Sequence, residues 1–185
     1  MGPASVMGVR ARSPGLRLPK ALPRGGTIGL AAPAGVVDPE RLEGGEASLR
    51  AAGFGIRRRD DLVSRHGHLA GDDARRAAEL MELVEDPEVH AIVCVRGGYG
   101  SHRIMARLDA ARVRRAAKPL VGYSDVTTLL LWQRRCAGLV GFHGPTLERA
   151  GGMDPAGLDA LVGLLTGTGR LPLRLQGAAG MGGRA

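Results

Sequence analysis

A serine set between a short apolar strand and a helix is the residue of this sequence best placed for covalent chemistry. In the stretch KPLVGYSDVTTLLLWQRRC, residues 118–136, Leu120 and Val121 run into Gly122, and Ser124 stands at the turn. Gly122 is expected to let the backbone bend sharply, and Val126, Leu129, Leu130 and Leu131 suit the buried face of the helix that follows. A hydroxyl at such a turn points outward beside first-turn N–H groups that lack intrahelical partners and favour negative charge. It could serve as a nucleophile with an oxyanion site next to it. The match to the strand, G-x-S-x-G, helix pattern is partial, because Val126 stands where that pattern has its second glycine. Two readings therefore stand side by side: a nucleophile, or the N-terminal cap of a core helix.

The elements that must position this turn can be read along the chain. Residues 27–32, TIGLAA, form a short apolar run stopped by Pro33, which predicts a buried first strand. Asp38 can cap a helix beginning at Pro39 with Leu42, Leu49 and Ala52 inward, and Phe54 to Arg58 makes a second strand. From Gly71 to Glu85 a helix capped by Asp72 or Asp73 places Ala77, Met81 and Val84 inward and Glu79, Glu82 and Glu85 toward solvent. His90 to Val95 is a continuous apolar strand, as expected of a parallel strand covered on both faces. It leads into Arg96-Gly97-Gly98-Tyr99-Gly100-Ser101, whose glycines let a ligand approach the backbone. A helix from about Ser101, the strand and turn at Ser124, a fifth strand Leu139 to Phe142 ending in His143-Gly144-Pro145, and a helix opened by Asp154-Pro155 complete the alternation. Leu171, Leu173 and Leu175 read as a short strand near the end.

Strands alternating with helices of crossover length predict an α/β fold: a doubly wound, mainly parallel sheet with helices on both faces, of flavodoxin-like or Rossmann-like type. Ligands bind such sheets at the carboxyl ends of the strands. The loops Ala32 to Gly35, Arg96 to Ser101, Gly122 to Asp125 and His143 to Pro145 each follow a strand and so converge there.

Composition limits the function classes. At 185 residues the chain fits one domain, and with 3% aromatic residues its core must be aliphatic. The charge of +8 invites a nucleic-acid reading, but the arginines are scattered and few aromatics exist for base stacking, so no nucleic-acid partner is expected. No apolar run approaches the ~18 residues of a membrane span, which predicts a cytoplasmic protein without a membrane partner. Cys94 and Cys136 lie apart in apolar segments and are expected to be buried and reduced. His66-Gly67-His68 has no third ligand nearby, so no metal site and no cofactor is expected. Residues 1–24, basic and broken by prolines, are expected to be a disordered tail preceding an α/β domain over 25–167.

Four blocks in order resemble the LD-carboxypeptidases, serine peptidases that include the microcin C immunity peptidases: Ile28 to Gly35, Ala91 to Ser101 with its RGGYGS run, Pro119 to Thr127 with GYSD, and Phe142 to Pro145 with HGP. The resemblance implies that Ser124 is the catalytic nucleophile. It further implies an oxyanion hole made by the backbone N–H of Asp125 with one from the Gly97-Gly98 turn, here Gly98, without a metal. Gly97 and Tyr99 would contact the substrate, a small peptide such as murein tetrapeptide. The expected reaction is release of a terminal D-amino acid in peptidoglycan recycling, with cleavage of a microcin-type acyl-sulfamoyl adenylate as the alternative substrate class. The family's triad glutamate and histidine lie in a C-terminal domain. On this reading residues 168–185 are a truncated linker toward a missing domain, and the chain alone is inactive and prone to aggregate or form a homodimer. A non-catalytic ligand-binding remnant is the competing reading. His102 and His143 follow strands at the right edge, but the resemblance gives neither the base's role.

Overall fold

The computed structural model describes residues 15–148 and 152–169. Five parallel strands form one sheet: β1 (Thr27–Ala31), β2 (Gly55–Arg57), β3 (Val89–Cys94), β4 (Leu120–Gly122) and β5 (Phe142–His143), in the order β2-β1-β3-β4-β5. This is the flavodoxin-like order, in which the winding direction reverses between β1 and β3. The helices are α1 (Pro39–Ala51), α2 (Asp73–Glu85), α3 (Ser101–Ile104), α4 (Ala110–Ala116), α5 (Thr127–Trp132) and α6 (Pro155–Thr166).

Successive side chains of a strand point to opposite faces, and both faces here are covered. Ala91, Val93 and Val95 join Ile28 and Leu30 of β1, Leu42 and Leu49 of α1, and Leu161 and Leu165 of α6 in one aliphatic cluster. Ile92 and Cys94 join Leu80 and Leu83 of α2, Val113 of α4, and Leu129 and Leu130 of α5 in the other. The predicted α/β sheet with helices on both faces is therefore present. Asp38 accepts from the N–H groups of Glu40 and Arg41 ahead of Pro39, Asp72 from Arg75, and Asp154 from Gly157, so each long helix starts at an aspartate cap.

Several expectations are corrected. Residues 15–24 do not form a tail: Arg17 donates to Gly138 O and Leu22 to Leu165 O, and Leu22 is buried in the core. The reason is that Leu22 fills the aliphatic cluster beside α6; residues 1–14 lie outside the described set. Ala52 is the exposed C-terminal cap of α1 rather than part of its inner face. Leu131 is 58% exposed, because the sheet takes Leu129 and Leu130 and leaves the next position outward. The fifth strand is shorter and later than predicted; Leu139 bridges instead to Arg17. The strand expected at Leu171 to Leu175, and nearly all of the expected linker, lie outside the described residues.

Cys94 is buried as expected, and burial pushes its thiol pKa up. Cys136 is exposed, because the helix end that carries it turns that position to solvent. One thiol per chain should therefore react quickly with a thiol reagent under native conditions and two after unfolding, as counted by absorbance. Two fast thiols in the folded protein would contradict this packing.

Candidate active site

At the carboxyl edge of the sheet, β4 ends in Gly122 and the chain passes through an extended Tyr123 to Ser124, which takes φ +57°. A non-glycine residue in this left-handed region stores roughly 1–3 kcal/mol and persists only when its surroundings hold it. They do so on three sides. Val126 packs against the end of β4 so closely that a Cβ on Gly122 would overlap its side chain. Gly122 is thus needed for close approach, and the sharp turn expected at it is made by Ser124 instead. Asp125 accepts from the Ser101 N–H at 2.8 Å through its carboxylate, while its carbonyl accepts from the Ser101 and Thr128 hydroxyls at 2.7 and 2.8 Å. On the third side, a Cβ on Gly97 would lie 2.8 Å from Ser124 Cβ and 3.2 Å from its Oγ. The glycine turn and the serine can touch only because residue 97 has no side chain.

An open cleft of about 260 Å³ runs past this serine, lined by Arg41, Arg96, Gly97, Gly98, Tyr123, Ser124, Thr146 and Glu148. Loops after β3, β4 and β5 and the first turn of α1 therefore meet here, and Gly35 N–H, donating to Gly97 O at 3.0 Å, joins the loop after β1 to the loop after β3. A larger hollow of about 830 Å³ opens at the opposite edge among Lys20, His90, Arg115 and Lys118. It contains no serine or cysteine, so size does not identify the reactive site.

Of the sequence-predicted residues, Ser124, Gly97 and Gly98 line the cleft, and Asp125 directly follows the serine. Tyr99 does not line it: its ring lies on the other side of the glycine turn between His102, 5.0 Å away, and His68, 6.0 Å away. Tyr123 lines the cleft in its place, its ring 5.1 Å from that of His143. Neither His102 nor His143 is among the lining residues. Arg96 donates to Val36 O at 2.7 Å and pairs with Glu148 at 3.3 Å, a structural role. Among the described residues, no group of three or more metal-ligating side chains occurs.

The buried supports of the site escaped the sequence reading. Arg76, fully buried, donates to Pro33 O, to Gly100 O at 2.9 Å and to Asp73, and so ties the loop after β1 to the loop after β3. Burial pulls its pKa down, opposed by the Asp73 carboxylate. Glu79, expected to face solvent, is fully buried and accepts from the Ala32 N–H at 2.8 Å and from Arg75 at 2.7 Å. The physical reason is that the loop after β1 turns over α2 and needs an acceptor for its N–H. Burial pushes the Glu79 carboxyl up, against the pull of Arg75. The only advance signal was the i, i+4 spacing of Arg75 and Glu79, which by itself reads as a surface pair.

The profile of the LD-carboxypeptidase N-terminal domain matches residues 28–144. The chain is 41% identical over 136 residues to the "Probable murein peptide carboxypeptidase" of Bacillus subtilis (strain 168), covering 74% of this chain and 43% of that protein. It is 32% identical over 130 residues to the murein tetrapeptide carboxypeptidase of Pseudomonas aeruginosa, covering 70% and 42%. Among solved structures, the microcin C7 self immunity protein MccF in complex with aspartyl sulfamoyl adenosine superposes with a TM-score of 0.73 at 29% identity, over 83% of this chain and 47% of that one. The chain thus spans less than half the length of the relatives it matches.

Proposed function

The chain belongs to the LD-carboxypeptidase family, whose N-terminal domain it carries, and from that premise we propose that it supplies the nucleophile half of a serine-type carboxypeptidase acting on murein tetrapeptide in cytoplasmic wall recycling. In this reading residues 25–167 are the nucleophile domain. Ser124 Oγ attacks the scissile carbonyl, and the N–H groups of Gly98 and Asp125 receive the developing oxyanion. Gly97 and Tyr123 wall the substrate, with Tyr99 set further out behind the glycine turn. The triad's glutamate and histidine come from the family's C-terminal domain, outside these 185 residues. The observation that carries the proposal is the φ of +57° at Ser124. A serine held in that conformation at a strand end, with a glycine turn against its Cβ, is the geometry that presents a nucleophile, whereas a plain helix cap has no need of the strain. Preorganised N–H donors of this kind contribute about 2.7–4 kcal/mol each where one has been removed by mutation.

The test uses a chimera in which the C-terminal portion of the Bacillus subtilis relative follows this chain. A serine-reactive fluorophosphonate should label it once, at Ser124, as read by mass spectrometry, and Ser124→Ala should abolish the label. Labelling that survives the substitution would remove the assignment. The MccF likeness keeps an acyl-sulfamoyl adenylate as the second substrate class; hydrolysis of both substrates by the same chimera separates the two.

A further inference from the structure

We infer that Arg41 is the group that receives the substrate's terminal carboxylate, and so makes the site one for chain ends rather than for internal peptide bonds. The inference rests on the serine carboxypeptidase reading above and concerns a residue that reading does not use. In any peptide cut one residue from its end, the terminal carboxylate carbon lies within about 4 Å of the scissile carbonyl carbon, because only N and Cα separate them. A guanidinium bonded to it at about 2.8 Å must then border the same cleft as the nucleophile. Among the residues lining the Ser124 cleft, the cations are Arg41 and Arg96.

The two differ in how far they are already engaged. Arg96 donates to Val36 O and is paired with Glu148, whose carboxylate is itself almost wholly buried and also accepts from the Asp38 N–H. Its charge is compensated in place, and it braces the loop after β3 against the loop after β1. Arg41 is half exposed, and among the described residues its one ionic partner is Asp38, reached through Nε at 3.5 Å. That contact is made through Nε and not through the two terminal nitrogens, the prongs that fit a carboxylate. Arg41 stands in the first turn of α1, a 13-residue helix, where the backbone's positive end disfavours a cation. A carboxylate arriving there pairs with the guanidinium, the helix end itself being capped by Asp38.

The experiment uses the 185-residue chain itself and measures binding, not turnover. Diacetyl-L-lysyl-D-alanine carries one charge, its terminal carboxylate; its C-terminal amide carries none. NMR titration at pH 7 should show the acid bound about tenfold more tightly than the amide, the size of one partly exposed charge-assisted contact. Arg41→Gln should bring the ratio to about one, and Arg41→Lys should keep part of it. Equal affinities in the unsubstituted chain, no binding of either peptide, or a preference that survives Arg41→Gln would each overturn the inference. Fluorophosphonate labelling of the chimera separates it from the catalytic reading. An unlabelled Ser124 with an Arg41-dependent preference sinks the reading alone, and a labelled Ser124 without the preference sinks this inference alone.

Discussion

Incubated with murein tetrapeptide at neutral pH, the purified 185-residue chain is expected to release D-alanine no faster than about 10³–10⁴ times the uncatalysed rate, the acceleration left to a site that keeps binding and an oxyanion hole without a working triad. A serine hydroxyl is a poor nucleophile until a base within about 2.6–3.2 Å takes its proton. No imidazole lines the Ser124 cleft among the described residues. The carboxylates nearest to it are committed: Glu148 to Arg96 and the Asp38 N–H, Asp125 to the Ser101 N–H. Residues 1–14, 149–151 and 170–185 contain no histidine, aspartate or glutamate at all, so they cannot supply the base. Fast release that disappears in both Ser124→Ala and His143→Ala would show that His143, held against Tyr123, swings in to serve.

Arg76→Met is expected to cost about 3–5 kcal/mol, the loss found when one member of a buried ion pair is removed. The guanidinium is fully buried, and its removal takes the donor from the Pro33 carbonyl and leaves Gly100 O with the Arg103 N–H alone among the described residues. Among the described residues Asp73 would keep Arg103 as its ionic partner, at 3.1 Å and half exposed. Against a total stability of about 5–15 kcal/mol for a domain, a change of this size moves the urea midpoint far and leaves a fraction of the chain unfolded in buffer. The loops after β1 and β3 would loosen together, and with them the Gly97 turn that rests on Ser124. A cost below about 1 kcal/mol would show that the two carbonyls find water or another donor, and that Arg76 does not hold the loops.

Much of the site was legible in the sequence because its parts are local. A serine between an apolar strand and a helix, and glycines directly after another apolar strand, are signals carried by neighbouring residues. The alternation of strands and helices then puts their loops at one edge of the sheet whatever the details. The fold class followed for the same reason: each element's period and caps are written within ten or fifteen residues, as at Asp38-Pro39, Asp72 and Asp154.

What the sequence by itself determined, then, is the order of the elements, the edge at which the glycine-rich loops gather and the serine placed among them. Tertiary structure alone decided which side chains support that serine. Helical periodicity assigned Glu79 to solvent, and only the passage of the loop after β1 over α2 buries it beneath the Ala32 N–H. Arg76 reads as one of twenty-four arginines until two loops, 43 and 24 residues distant in the chain, place their carbonyls around it. Gly122 reads as a sharp bend and Gly97 as part of a loop that admits a ligand, yet each is required because another segment comes within contact of its Cα, while the strained backbone falls on Ser124. The physical reason is the same in every case. Local propensity depends on neighbours in sequence, whereas desolvation, hydrogen-bond satisfaction and steric exclusion depend on which distant atoms share the space.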